Sequence, residues 1–135
     1  MSKLEYISFH LVDDNDIDLA VNSKLLEIAK ISNKIVTYQS ALLLLDYLKS
    51  DKFDGSKPHV ILLDIMMPNM NGFECLDQLT QMPEHIRKQL TVFMVSSSID
   101  RNDIKKAESY DLVEKILEKP LDVYLLKKYL GEVFE

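Results

Sequence analysis

The sequence predicts an α/β fold: a five-stranded parallel sheet, doubly wound, with five helices. Two observations carry that reading. Short apolar runs alternate with amphipathic segments along the whole chain, and strict alternation pairs strands in parallel through crossovers on both faces. The run Val60-Ile61-Leu62-Leu63 is continuously apolar, and Thr91 to Val95 repeats the pattern, as strands covered on both faces do.

Each element has its own signal. Tyr6 to Val12 reads as a strand, stopped by the turn and cap formers Asp13-Asp14-Asn15-Asp16. Ile17 to Ile31 follows as a helix, with Ile17, Val21, Leu25, Ile28 and Ala29 at helical spacing as its core face. Ile35 to Tyr38 is a brief strand and Ser40 to Leu48 a strongly apolar helix. Asp51 to Pro58 is the one loop-like cluster of any length, ahead of the strand at Val60 to Leu63. A helix is expected from Gly72 to Gln81, a strand over Thr91 to Val95 and a helix after Asp100. Val113 to Leu117 is the fifth strand, and Leu121 to Phe134 the last helix, its core stripe Val123, Leu126, Leu130 and Val133. A second stripe, Leu121, Tyr124, Leu125 and Tyr129, reads as a wider core, with a partner surface as the alternative.

Composition narrows the function. The chain has 135 residues, 47% hydrophobic and 28% charged, the balance of one ordinary globular domain. Sixteen Lys and Arg face 22 Asp and Glu, for a formal charge of −6 and a pI near 5.0. That balance argues against nucleic acid and against anionic membrane surfaces as partners. Cys75 is the only cysteine, which excludes an internal disulfide and reads as a small buried hydrophobe. No apolar run approaches the roughly 20 residues of a membrane span, and Met1-Ser2-Lys3-Leu4-Glu5 lacks a secretory core. A cytoplasmic location is expected.

In doubly wound sheets ligands bind outside the carboxyl ends of the strands, so function is sought just after each apolar run. Strand one ends in Asp13-Asp14, strand three in Asp64, strand four in Ser96-Ser97-Ser98 and strand five in Lys119-Pro120. Close-packed carboxylates need an offsetting charge. A hard divalent cation such as Mg²⁺ supplies one through oxygen ligands. A carboxylate beside that metal can attack a phosphoryl group, with a fixed lysine and a hydroxyl receiving its oxygens.

These motifs resemble the receiver domain of response regulators, the phospho-accepting half of two-component signalling. They are Leu11-Val12-Asp13-Asp14-Asn15, Leu62-Leu63-Asp64-Ile65-Met66-Met67-Pro68-Asn69-Met70-Asn71-Gly72, Val95-Ser96-Ser97 and Glu118-Lys119-Pro120. The resemblance implies a flavodoxin-like strand order, 2-1-3-4-5. It makes Asp64 the phosphoacceptor, Ser96 the switch hydroxyl and Lys119 the counter-charge. Asp13, Asp14, Asp64 and the backbone carbonyl of Met66 would hold Mg²⁺. Lys119-Pro120 matches the family's cis peptide, and Pro68 and Gly72 would shape the loop after strand three.

Residues 4–134 are covered by the resemblance, so 1–135 is read as a single receiver domain with no output domain. Such a chain takes its phosphoryl group from a histidine kinase or a histidine phosphotransfer protein. It signals by altered binding to a downstream protein and catalyses only its own phosphorylation and dephosphorylation. Phosphorylation-dependent homodimerisation is left open. One departure stands out: Ile116 occupies a place where the family often has Tyr or Phe, which puts the usual outward signal in doubt. A degenerate receiver, binding a partner without phosphorylation, is the rival reading. A haloacid-dehalogenase-type phosphatase would need an acid two residues after Asp64, where Met66 stands. His10, His59 and His85 show no ligand spacing and are expected in a strand, at a strand start and in a loop.

Overall fold

Burial on both faces selects the strands. In the computed structural model, which describes residues 6–32 and 34–134, β1 (Ser8–Val12) and β3 (His59–Asp64) are buried at every position. β4 (Leu90–Ser96) is nearly so, while β2 (Ile35–Tyr38) and β5 (Val113–Glu118) are the half-covered edges. All pairings are parallel and the order is β2-β1-β3-β4-β5, as expected for five strands joined by helical crossovers. Helices α1 (Asp16–Ile28) and α6 (Val123–Phe134) pack on one face with Phe9, Leu11, Val60 and Leu62. Helices α2 (Ala41–Lys49), α3 (Gly72–Thr80) and α5 (Arg101–Glu108) cover the other, over Val12, Ile61 and Leu63. Cys75 is buried there, as a small hydrophobe should be, and burial pushes its thiol up to about 12.

Several expectations need correction. A sixth helix, the single turn α4 (Glu84–Arg87), puts His85 in a helix rather than a loop; Pro83 opens it and Ile86 anchors it in the core. The expected core stripe of α1 is largely its outer face: Ile17 is 73%, Ile28 66% and Val21 50% exposed. At about 100° per residue, Leu19 and Leu26 lie half a turn round the helix from Ile17 and Ile28, and it is they that are buried. The helix also stops at Ile28 rather than Ile31. Lys30 adopts a left-handed φ of 56°, and Lys30 and Ile31 donate back to the carbonyls of Glu27 and Leu26, a Schellman termination with lysine in glycine's usual place. The last helix starts at Val123 rather than Leu121, and its expected second stripe divides: Leu121, just ahead of the helix, is buried, and Tyr124 is 79% exposed. Val133, assigned to the core stripe, lies at the surface. The amino-terminal segment Met1 to Glu5 lies outside the described residues.

The histidines hold a second finding. His59 Nε2 lies 2.7 Å from the Asp54 carbonyl, which can only accept, so that nitrogen donates. Neutral His59 therefore accepts at Nδ1 from His10 Nε2, 2.9 Å away. His10 in turn accepts at Nδ1 from the Tyr38 hydroxyl at 2.9 Å. One carbonyl thus fixes the tautomers of both rings. Burial, aided by the charges of His59 and Lys57, pushes His10 down to about 3, and burial also lowers His59.

Below about pH 6.5 the unfolded chain takes up protons that these native imidazoles refuse, so stability is full above that pH and falls as pH drops toward 3. His10→Gln keeps a donor and an acceptor but does not titrate. The stability difference between wild type and this variant is expected to move by up to about 1.4 kcal/mol per pH unit between about pH 6 and 4, in the variant's favour on acidification. Urea unfolding across that range measures it; a constant difference would contradict the assigned proton pattern.

Candidate functional site

The loops after β1, β3, β4 and β5 meet at the carboxyl rim. After β1 the chain turns at once: Asp13 Oδ1 accepts the Asn15 amide at 3.0 Å, and the Asn15 side chain caps α1 at Ile17 and Asp18. Asp13 is thereby buried and Asp14 exposed. Asp64 ends β3 with a buried carboxylate, and the Met66 amide donates to it at 3.3 Å. Asn69 takes a left-handed φ of 70° in the following loop, a conformation asparagine tolerates better than most side chains. Asn71 then opens α3 with a capping box to Glu74. Gly72 is required by close approach: a Cβ there would sit 2.6 Å from the Asp64 carbonyl oxygen and 2.9 Å from Ile65 Cα.

Lys119 follows β5, ahead of a cis peptide to Pro120. Its Nζ lies 2.8 Å from Asp13, 2.9 Å from Asp18 and 3.5 Å from Asp64. The three N–H bonds of one ammonium are thus spread over three carboxylates. Burial alone would lower the Lys119 pKa, but its hydrogen bonds to Asp13 and Asp18 and the charge of Asp64 outweigh it and raise it. Asp64 is pushed up to about 6, first by burial, then by the negative charge of Asp13, with Lys119 opposing. Ser96 is wholly buried; its hydroxyl donates to the Ser98 carbonyl and accepts the Ser98 amide, so it is bonded within its own loop rather than to Asp64. The Ser96 carbonyl accepts the Lys119 amide at 2.9 Å, tying β4 to the β5 loop. Ile116 is half-buried against the core on the α2–α3–α5 face, opposite Met94 of β4.

The sequence-predicted acids converge. One oxygen each from Asp13, Asp14 and Asp64 lies within 4.8 Å of the other two. An all-oxygen, all-anionic donor set suits a hard divalent cation that keeps several waters, and Mg²⁺ fits that description. Met66 contacts Asp64 through its amide. Asp18 was not foreseen. It sits at the third position of α1, where an acid normally reads as half of a capping box with the N-cap residue. Here the Asn15 amide is already taken by Asp13, which leaves the Asp18 carboxylate free to reach Lys119.

A family model for the response regulator receiver domain matches residues 9–130. The chain belongs to the receiver-domain family. The receiver is 30% identical over 126 residues to a protein of Methanothrix harundinacea named "Probable methanogenesis regulatory protein FilR2", covering 93% of this chain and 79% of that one. It resembles a crystal structure of a response regulator receiver protein from Dyadobacter fermentans at 36% identity, with a TM-score of 0.87 over 95% of this chain and 98% of that one. A two-component response regulator from Cytophaga hutchinsonii matches at 29% identity and a TM-score of 0.86, covering 96% and 97%. Receiver domains generally bind Mg²⁺ in an acidic pocket and take phosphoryl groups from histidine kinases or phosphotransfer proteins. Among the described residues no helix is long and apolar enough to cross a membrane.

Proposed function

We propose that this receiver accepts a phosphoryl group on Asp64 from a phosphohistidine donor and signals by altered protein binding. One observation supports this above the others: three strand-end carboxylates share a site small enough for one cation, with a lysine ammonium alongside. Asp13, Asp14 and Asp64, with the Met66 carbonyl as a further ligand, would hold Mg²⁺, which when bound supplies positive charge for the phosphoryl oxygens. An Asp64 carboxylate oxygen bonds to phosphorus as the donor's nitrogen–phosphorus bond breaks, and the imidazole leaves with the bonding electrons. Lys119 then exchanges a carboxylate partner for a phosphoryl oxygen. Ser96 must first release Ser98 to donate to another.

Incubation with a small acyl-phosphate donor and magnesium is expected to add one phosphoryl group, read by intact mass, and Asp64→Asn to abolish the addition. No labelling of wild type would favour the rival reading, a binding module that works without phosphorylation, for which Ile116 is the one supporting residue.

The outer stripe of α1 bears on the donor. The helix begins three residues after Asp13, and Ile17 and Val21 in its first turns are apolar and exposed. Such a stripe suits the apolar face of a donor helix. Val21→Glu is expected to slow transfer from a phosphorylated histidine protein about tenfold and leave labelling by the small donor intact. Equal slowing of both would place the fault in the site rather than in docking.

A further inference from the structure

Lys119 has three acceptors but the cation cluster contains only two of them. Asp13 and Asp64 belong to it, Asp18 does not. The ammonium lies at 2.8 and 2.9 Å from Asp13 and Asp18 but 3.5 Å from Asp64, so it is drawn off the phosphoacceptor toward the helix. Asp13 and Asp64 are almost fully covered, whereas the Asp18 side chain is 38% exposed. Without Asp18, the acceptors left to the ammonium are Asp13 and Asp64, two of the three acids that would hold a divalent cation.

We propose that Asp18 is a positioning residue for Lys119: its carboxylate draws the ammonium outward and keeps it from competing with a divalent cation for Asp13 and Asp64. The proposal rests on the cation-binding reading above and adds a residue that the acidic cluster does not contain. When a divalent cation takes Asp13, Lys119 keeps Asp18 as a partner and is not left unpaired in a largely buried site. Geometry at the start of α1 permits this because Asp13 fills the role toward the Asn15 amide that Asp18 would otherwise play.

Three measurements on the full chain separate this from simple loss of a negative charge. In an amide NMR titration with magnesium, Asp18→Asn is expected to weaken binding about fivefold. Asp16→Asn removes a first-turn acid of the same helix that pairs with Gln39 instead, and is expected to change it less than about twofold. In a Lys119→Gln background the effect of Asp18→Asn should fall to the level of that control. Equal effects of the two asparagine variants, or an undiminished effect without the lysine, would overturn the proposal. In the metal-free chain, the Lys119 side-chain Cε–Nζ resonance should shift in Asp18→Asn and stay in place in Asp16→Asn. An unshifted resonance would overturn Asp18's hold on the ammonium whatever magnesium does. Absence of magnesium binding in wild type with a shifted resonance would remove the cation reading and retain that hold.

Discussion

Lys119→Gln is expected to slow phosphorylation of Asp64 by about 10²–10³-fold, the usual loss when a preorganised charge-stabilising donor is removed. The same change should destabilise the fold at neutral pH, because it strands Asp13 and Asp64, which are 8% and 7% exposed at their side chains. Breaking one partner of a buried pair costs about 3–5 kcal/mol. Lys119 is 17% and Asp18 38% exposed, so solvent screening reduces the expected loss to about 2 kcal/mol. The loss depends on pH in a definite direction. Asp64 already has its pKa raised to about 6 by burial and by Asp13, and without the ammonium it rises further. A carboxyl raised above its unfolded value weakens the fold as pH climbs through that interval, and has no effect once both states are protonated. The variant should therefore trail wild type most near pH 8 and close the gap toward pH 4. Magnesium should raise its melting temperature more than that of wild type, since the acids have lost their only nearby cation among the described residues. A variant as stable as wild type at pH 8 would mean that the three contacts of Lys119 contribute nothing.

Much of this was legible in the chain because burial forces it. Val60 to Leu63 is covered on both faces and apolar throughout, so the acid that follows it marks the rim where function sits. The motifs did the same for Asp13, Asp14, Ser96 and Lys119. What escaped has physical causes. Helix α1 carries apolar residues on two opposite sides, and periodicity favours the longer row, Ile17, Val21, Leu25 and Ile28. Which row faces the sheet is decided by how the chain leaves β1, through the turn that Asp13 and Asn15 close. The α4 turn is too short for a periodic signal. Asp18 was hidden by a local explanation, capping, that fits an acid at that position until the competing bond from Asp13 is seen. The His10–His59 pair is 49 residues apart in sequence, and only the parallel register of β1 and β3 brings the rings together.

Gly72→Ala is expected to impair the site without removing any functional atom. The added methyl would lie 2.6 Å from the Asp64 carbonyl oxygen, 2.9 Å from Ile65 Cα and 3.0 Å from Met94 Cε. Only the last belongs to a side chain that can swing away. The first two are backbone at the end of the central strand, held by the bond from the Ile65 amide to the Val95 carbonyl and by that from the Gly72 amide to the Ile65 carbonyl. Either α3 is pushed outward or the end of β3 shifts, and each disturbs a packed core, at about 3 kcal/mol. For a chain of this length that corresponds to a fall in melting temperature of roughly 10 °C. The strand end that shifts is the one carrying Asp64, the proposed phosphoacceptor, and a displacement near 1 Å costs roughly 10²-fold in rate. Gly55→Ala supplies the comparison: its nearest contact would be Phe53 Cε2 at 3.7 Å, ordinary van der Waals distance, so it should leave both melting and labelling near wild type. If the two alanine variants melt together and label equally fast, the close approach of α3 to Asp64 is not what the site requires of residue 72.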